Sequence, residues 1–128
     1  MPAAAQLEHV NVTVSDPART AERLCALFDW KVRWSGPAKG GGRTFHVGSD
    51  ESYVAVYALG APRAPERESY VTRGGLNHIG VVVPDLDAAE RRVLEAGYKT
   101  HSHADYEPGR RFYFHDDDGI EFEVLSYA

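Results

Sequence analysis

Apolar and polar residues alternate from Leu7 to Val14, with Val10, Val12 and Val14 on one side and His9, Asn11 and Thr13 on the other. A period of two over a β-branched run predicts a strand. Asp16 and Pro17 follow, a capping side chain and then a proline suited to the first helical position. The period then lengthens. Ala21, Leu24, Leu27 and Phe28 recur at helical spacing, so an amphipathic helix is expected to about Phe28. Trp30 to Ser35 reads as a strand and Pro37 to Gly42 as a flexible turn. Arg43 to Val47 and Ser52 to Leu59 read as two more strands about a turn at Gly48 to Asp50, giving the order β-α-β-β-β.

The pattern then recurs. Leu76-Asn77-His78-Ile79-Gly80-Val81-Val82-Val83-Pro84-Asp85 answers Leu7-Glu8-His9-Val10-Asn11-Val12-Thr13-Val14-Ser15-Asp16. Likewise Tyr98-Lys99-Thr100 answers Trp30-Lys31-Val32, and Gly109-Arg110-Arg111-Phe112 answers Gly42-Arg43-Thr44-Phe45. Self-similarity over this length means one supersecondary unit used twice. In the second copy a strand is expected over Leu76 to Val83, then a helix opened by a capping box of Asp87 and Glu90 and stopped at Gly97. Strands are expected near Tyr98 to Ser102, Arg111 to His115 and Ile120 to Ser126, with Asp117-Asp118-Gly119 as the last turn. The expectation is an α+β fold, two βαβββ modules in tandem within a single domain over residues 1–128. Module one covers about residues 7–59 and module two about 76–127, with residues 60–75, rich in proline and charge, as a surface linker.

Strand alternation also says where polar side chains point. With the valine faces covering the helices, the opposite faces carry His9, His78 and Glu123. Two imidazoles and a carboxylate are a standard ligand set for a divalent metal. His9 and His78 hold equivalent positions in the two copies, so like modules related by a pseudo-two-fold axis would set them symmetrically about it. Glu123 is taken as equivalent to Val56, which leaves three protein ligands and open positions, the catalytic rather than the closed structural arrangement. The plainer alternative is that each histidine is only a hydrogen-bonded sheet residue.

Composition narrows the function classes. The 128 residues carry 14 Lys+Arg against 19 Asp+Glu, a net charge of -5, without a basic run. Phosphate contacts dominate nucleic-acid affinity, so nucleic acid is not an expected partner. No apolar stretch nears the ~20 residues that span a bilayer, so no membrane partner is expected either. No secretory leader is evident at the start, and the expected location is the cytoplasm. A lone Cys25 makes neither an internal disulfide nor a cysteine-rich zinc site. Gly40-Gly41-Gly42 lacks the Lys-Ser/Thr tail of a phosphate loop. Arg110 and Arg111 are candidates for clamping an anionic substrate group, against a reading as a solvated turn. His101, His103 and His115 read as near-surface loop histidines, with His103 the candidate to approach the site from its loop.

Leu7-Glu8-His9-Val10 with Asp16, Leu76-Asn77-His78-Ile79-Gly80-Val81 with Asp85, and Phe112 to Glu123 together resemble the vicinal oxygen chelate superfamily. That superfamily comprises the glyoxalase, bleomycin-resistance and extradiol dioxygenase proteins. The resemblance runs from about Leu7 to Tyr127, and its most specific part is Phe112-Tyr113-Phe114-His115-Asp116-Asp117-Asp118-Gly119-Ile120-Glu121-Phe122-Glu123. It implies paired βαβββ modules whose mixed sheets curl around a cavity holding one divalent metal ion (Fe, Mn, Zn, Ni or Co) on His9, His78 and Glu123. It implies a small-molecule substrate with adjacent oxygens, and dioxygenase-like or lyase- and isomerase-like chemistry. Val56 at the fourth ligand position puts glyoxalase chemistry in doubt. Tyr113 falls where ring-cleaving dioxygenases keep an active-site tyrosine, and His46 is its equivalent in the first copy. The resemblance further implies a homodimer, in which His9 of one chain can join His78 and Glu123 of the other. The competing class is a metal-free protein of the bleomycin-resistance type that sequesters its ligand.

Overall fold

The computed structural model describes residues 4–106 and 109–127. The chain divides into two compact units, Met1–Arg63 and Ala64–Ala128, each with its own sheet, helix and core. The first runs β1 (His9–Thr13), α1 (Pro17–Phe28), β2 (Lys31–Pro37), β3 (Arg43–Gly48) and β4 (Tyr53–Ala58). Its four strands lie in the order β1-β4-β3-β2, with β1 parallel to β4 and the other pairs antiparallel. The second runs β5 (Ile79–Val82), α2 (Leu86–Glu95), β6 (Thr100–Tyr106), β7 (Gly109–His115) and β8 (Glu121–Ser126). Its order is β5-β8-β7-β6, again with one parallel pair, β5 with β8. These are two copies of one α+β unit, as the repeat requires.

Both helices begin where their caps dictate. The Asp16 carboxylate accepts from the Arg19 N–H, with Pro17 in the first turn. In the second unit the cap is Asp85, which accepts from the Ala88 N–H at 3.0 Å. The expected box of Asp87 and Glu90 does not form, because Leu86 is already helical and a cap must precede it. Asp87 instead sits in the first turn, where its charge suits the helix N-terminus, and binds Arg110. Gly97, at φ 97°, follows the end of α2, a conformation that favours glycine. Ala21, Leu24 and Leu27 of α1 pack with Val47, Val54 and Val56 in the first core. Leu86, Ala89 and Val93 of α2 do so with Phe112, Phe114, Phe122 and Val124 in the second. Burying these faces on one side of each sheet leaves the other side for polar chemistry.

The turn into β8 is built on Asp116. Its Oδ1 accepts from the N–H groups of Asp118 and Ile120, both at 2.9 Å, and Gly119 takes φ 80°. Burial lifts the Asp116 carboxyl above its usual range, more than the two backbone bonds lower it. An acid whose pKa is higher folded than unfolded loses stability as pH rises through that window. Asp116→Asn keeps an acceptor for both N–H groups and never ionises. Its melting temperature should therefore gain on the wild type's between pH 3 and pH 6, measured by thermal denaturation at each pH; a gap constant with pH would refute this. Among the described residues no helix is long and apolar enough to cross a membrane.

Candidate metal centre

In the second unit the polar face is read directly from strand alternation. Phe112, Phe114, Phe122 and Val124 are fully buried toward α2. Arg111, Tyr113 and His115 of β7, with Glu121 and Glu123 of β8, therefore share the opposite face. Tyr113 is directly across from Glu123, and His115 from Glu121. His78, immediately before β5, brings its Nε2 to 3.1 Å from Glu123 Oε1. The Tyr113 ring stands edge-on to the His78 ring, with centroids 5.6 Å apart.

The hydrogen bonds around His78 fix its tautomer. Its Nδ1 lies 2.6 Å from Asn77 Oδ1, an amide oxygen that only accepts. Nδ1 therefore carries the proton, and a neutral ring presents a lone pair at Nε2. That lone pair faces a carboxylate oxygen at 3.1 Å. Two acceptors at this separation attract only with positive charge between them, supplied by a second ring proton or by a metal ion. The donor spacing fits a metal, since ligands at ~2.1 Å from a shared ion lie about 3.0–3.4 Å apart. Asn77 is the outer hydrogen-bond partner that metal-bound imidazoles usually have. The other oxygen of Glu123, Oε2, accepts from Arg111 Nη1 at 2.8 Å, and both side chains are nearly hidden from water. Arg111 also donates to the Gly109 carbonyl.

The first unit repeats this around His9. Its Nδ1 lies 3.0 Å from Glu8 Oε1, which again leaves Nε2 as the free donor atom. Tyr53 donates from its hydroxyl to the same Glu8 oxygen at 3.4 Å. Beyond His9 the face is aromatic: His9 stacks on Tyr53 at 4.8 Å, Tyr53 on His46 at 4.5 Å, and Trp34 tilts against His46 at 5.2 Å. Arg33 lies over the other part of this stack, 4.6 Å from the Tyr53 centroid. Burial lowers the His46 pKa, and the neighbouring charges of His9 and Arg33 lower it further.

Several residues stand elsewhere than the sequence suggested. Asn11 pairs with Ala55 and its counterpart Gly80 with Glu123, so the first-unit equivalent of Glu123 is Ala55 and not Val56. Val56 is buried against α1, as Val124 is against α2. Alanine, like valine, offers no ligand atom to a metal. Arg110, expected as a substrate clamp, is tied to Asp87 of α2 at 3.0 Å on the helix side of the sheet. Arg111, its neighbour, points the other way and is engaged with Glu123. His103 also turns to the helix, with Nε2 2.6 Å from Glu90 Oε2. His101, His103 and His115 are strand residues, not loop residues. Two functional candidates were not singled out in the sequence. Glu121 shares the Glu123 face by simple alternation, which was legible. Tyr70, from the short turn Ser69–Val71, donates its hydroxyl to Glu121 Oε1, and no local pattern announces that. This bond, with burial and the Glu121 charge behind it, pushes the Tyr70 pKa up to about 12.

Two βαβββ units with a histidine at the start of the first strand in one and just before it in the other, and a glutamate on the last strand of the chain, define a class. The sequence model of the glyoxalase/bleomycin resistance protein/dioxygenase superfamily matches residues 6–124, and the chain belongs to that superfamily. Among solved structures it is similar to the glyoxylase/bleomycin resistance protein/dioxygenase domain from Frankia sp. EAN1pec, at 22% identity and TM-score 0.81 over 97% of this chain and 98% of that one. It is similar to the fosfomycin resistance protein FosX from Mesorhizobium loti, at 24% identity and TM-score 0.72 over 96% and 92%. It is also similar to FosX from Listeria monocytogenes complexed with Mn(II) and sulfate, at 19% identity and TM-score 0.73 over 97% and 93%. A search of curated proteins found no match.

Proposed function

We propose that this chain is a divalent-metal-dependent enzyme acting on a small molecule with two adjacent oxygens. The observation that supports it best is His78 Nε2 at 3.1 Å from the Glu123 carboxylate, with the far ring nitrogen 2.6 Å from Asn77 Oδ1. His9, held the same way by Glu8, supplies the third donor. Two imidazoles and one carboxylate suit a Mn(II)- or Fe(II)-class ion with open positions. The Mn(II) in the Listeria FosX structure agrees with such a site in this superfamily. A homodimer, which the resemblance to the superfamily implies, is part of the same proposal.

When bound, the ion would act as a Lewis acid on substrate oxygens. The chain's own residues do the rest. Arg111 holds Glu123 Oε2, which orients the carboxylate and presents Oε1 on the His78 side. Tyr113, edge-on to His78, is proposed to donate its hydroxyl to a substrate oxygen. His46 is proposed to accept a proton as negative charge develops on the substrate. Trp34 and Tyr53 give that side a flat aromatic wall for an apolar or unsaturated substrate body.

The test is metal content and metal-dependent turnover of untagged protein, screened under air and under nitrogen. Oxygen uptake with catechols selects ring cleavage, while turnover without oxygen selects addition or isomerisation. Protein that binds no ion at His78 and Glu123, yet binds a ligand, would return the metal-free alternative. Asn77→Ala frees the His78 ring and should weaken metal binding by about 10–100-fold, read by competition with a chromophoric chelator. An unchanged affinity would mean that Asn77 does not set the ligand.

A further inference from the structure

We propose that His101, His115 and Glu121 form a second divalent-cation site, of zinc-type coordination, separate from the centre at His78 and Glu123. One donor atom from each of the three side chains lies within 4.8 Å of the others. His101 Nε2 is 3.3 Å from His115 Nδ1 and 3.7 Å from Glu121 Oε2, and His115 Nε2 is 3.5 Å from the same oxygen. Donors about 2.0–2.1 Å from a tetrahedral ion are ~3.4 Å apart, and the two short His115 distances use different ring nitrogens, so binding an ion requires the His115 ring to turn one nitrogen toward both other donors.

The backbone builds this cluster. Ser102 takes φ 56°, and the β6–β7 register slips by one residue between His101 and Ala104. Without that bulge His101 and His103 would share a face. With it, His103 reaches Glu90 toward α2, while His101 stacks on His115 at 5.1 Å. The register of β7 on β8 sets His115 across from Glu121.

The donors are also oriented. The Ser102 hydroxyl meets His101 Nδ1 at 2.9 Å, leaving Nε2 for an ion. Tyr70 donates to Glu121 Oε1, leaving Oε2. The Glu121 side chain is only 11% exposed, and the imidazoles of His101 and His115 both lie within ion-pair distance of its Oε2. Nitrogen donors select a borderline transition-metal ion over Mg or Ca. Such an ion would clamp the edge strand β6 onto the β7–β8 hairpin and keep its fourth position for water. The equivalents in the first unit by strand register are Trp34, Gly48 and Tyr53, which offer no such set. The site therefore lies wholly within the second unit and does not depend on His9.

Equilibrium dialysis of untagged, chelator-stripped protein against Zn(II), with Co(II) absorption as a second readout, tests this. Wild type should hold two Zn(II) per chain. His115→Ala and the isosteric Glu121→Gln should each lose one, together with the tetrahedral Co(II) bands. The pair His78→Ala/Glu123→Gln should lose the other and keep those bands. If the first centre fails altogether, wild type holds one ion, and that ion still vanishes in Glu121→Gln. Equal ion counts in wild type, His115→Ala and Glu121→Gln overturn the second site, whatever the first centre does.

Discussion

Glu123→Ala should remove the metal and weaken the fold in one step. The substitution deletes the carboxylate donor and strands the Arg111 guanidinium, whose side chain is 11% exposed. Breaking a buried pair from one side costs about 3–5 kcal/mol, and the lower end applies here because Arg111 keeps the Gly109 carbonyl. Glu123→Gln separates the two effects. It keeps an oxygen for Arg111 and the shape of the side chain, so stability should fall by only ~1 kcal/mol. Its charge is gone, so metal affinity should still fall by at least the ~100-fold seen when an ion loses outer support. Arg111→Met with Glu123→Leu removes both charges together and should recover most of the stability without recovering metal. Urea denaturation and metal competition on these variants supply the check. A Glu123→Gln protein that binds metal like wild type would remove Glu123 from the centre.

Phe112→Ala should be the largest purely structural loss, about 3–5 kcal/mol. Phe112 is fully buried, as are Phe114 and Phe122 around it. It lies in β7 between Arg111 and Tyr113, so its packing against the helix side fixes the strand that presents both polar residues. A cavity there lets β7 shift, and metal affinity should fall along with stability. The urea midpoint measures the first effect and chelator competition the second. A loss under ~1 kcal/mol would mean that the second core is not organised on this ring.

Much of this was legible in the sequence because two periods carry it. The alternation of Val10, Val12 and Val14 against His9, Asn11 and Thr13, and its repeat around His78, needs only strand geometry. The caps at Asp16 and Pro17 and the stop at Gly97 are local chemistry, and both ends formed where that chemistry placed them. What escaped depends on single-residue irregularities. Residues 49–52 join β3 to β4, whereas residues 116–120 join β7 to β8, one residue more. That difference moves the equivalent of Glu123 from Val56 to Ala55. The bulge at Ser102 escaped too, since serine carries no signature of a positive φ, and with it went the facing of His101 and His103. The Arg111–Glu123 pair was out of reach for another reason. Sequence shows two adjacent arginines, and only the register of β7 on β8 decides which one faces the carboxylate.

The most direct measurement is anomalous X-ray diffraction from crystals of Mn(II)-loaded protein at the manganese edge. A strong peak is expected at coordination distance from His78 Nε2 and Glu123 Oε1, with Asn77 still on the far nitrogen of the His78 ring. A fully loaded crystal whose ion sits away from these two donors would contradict the proposed centre.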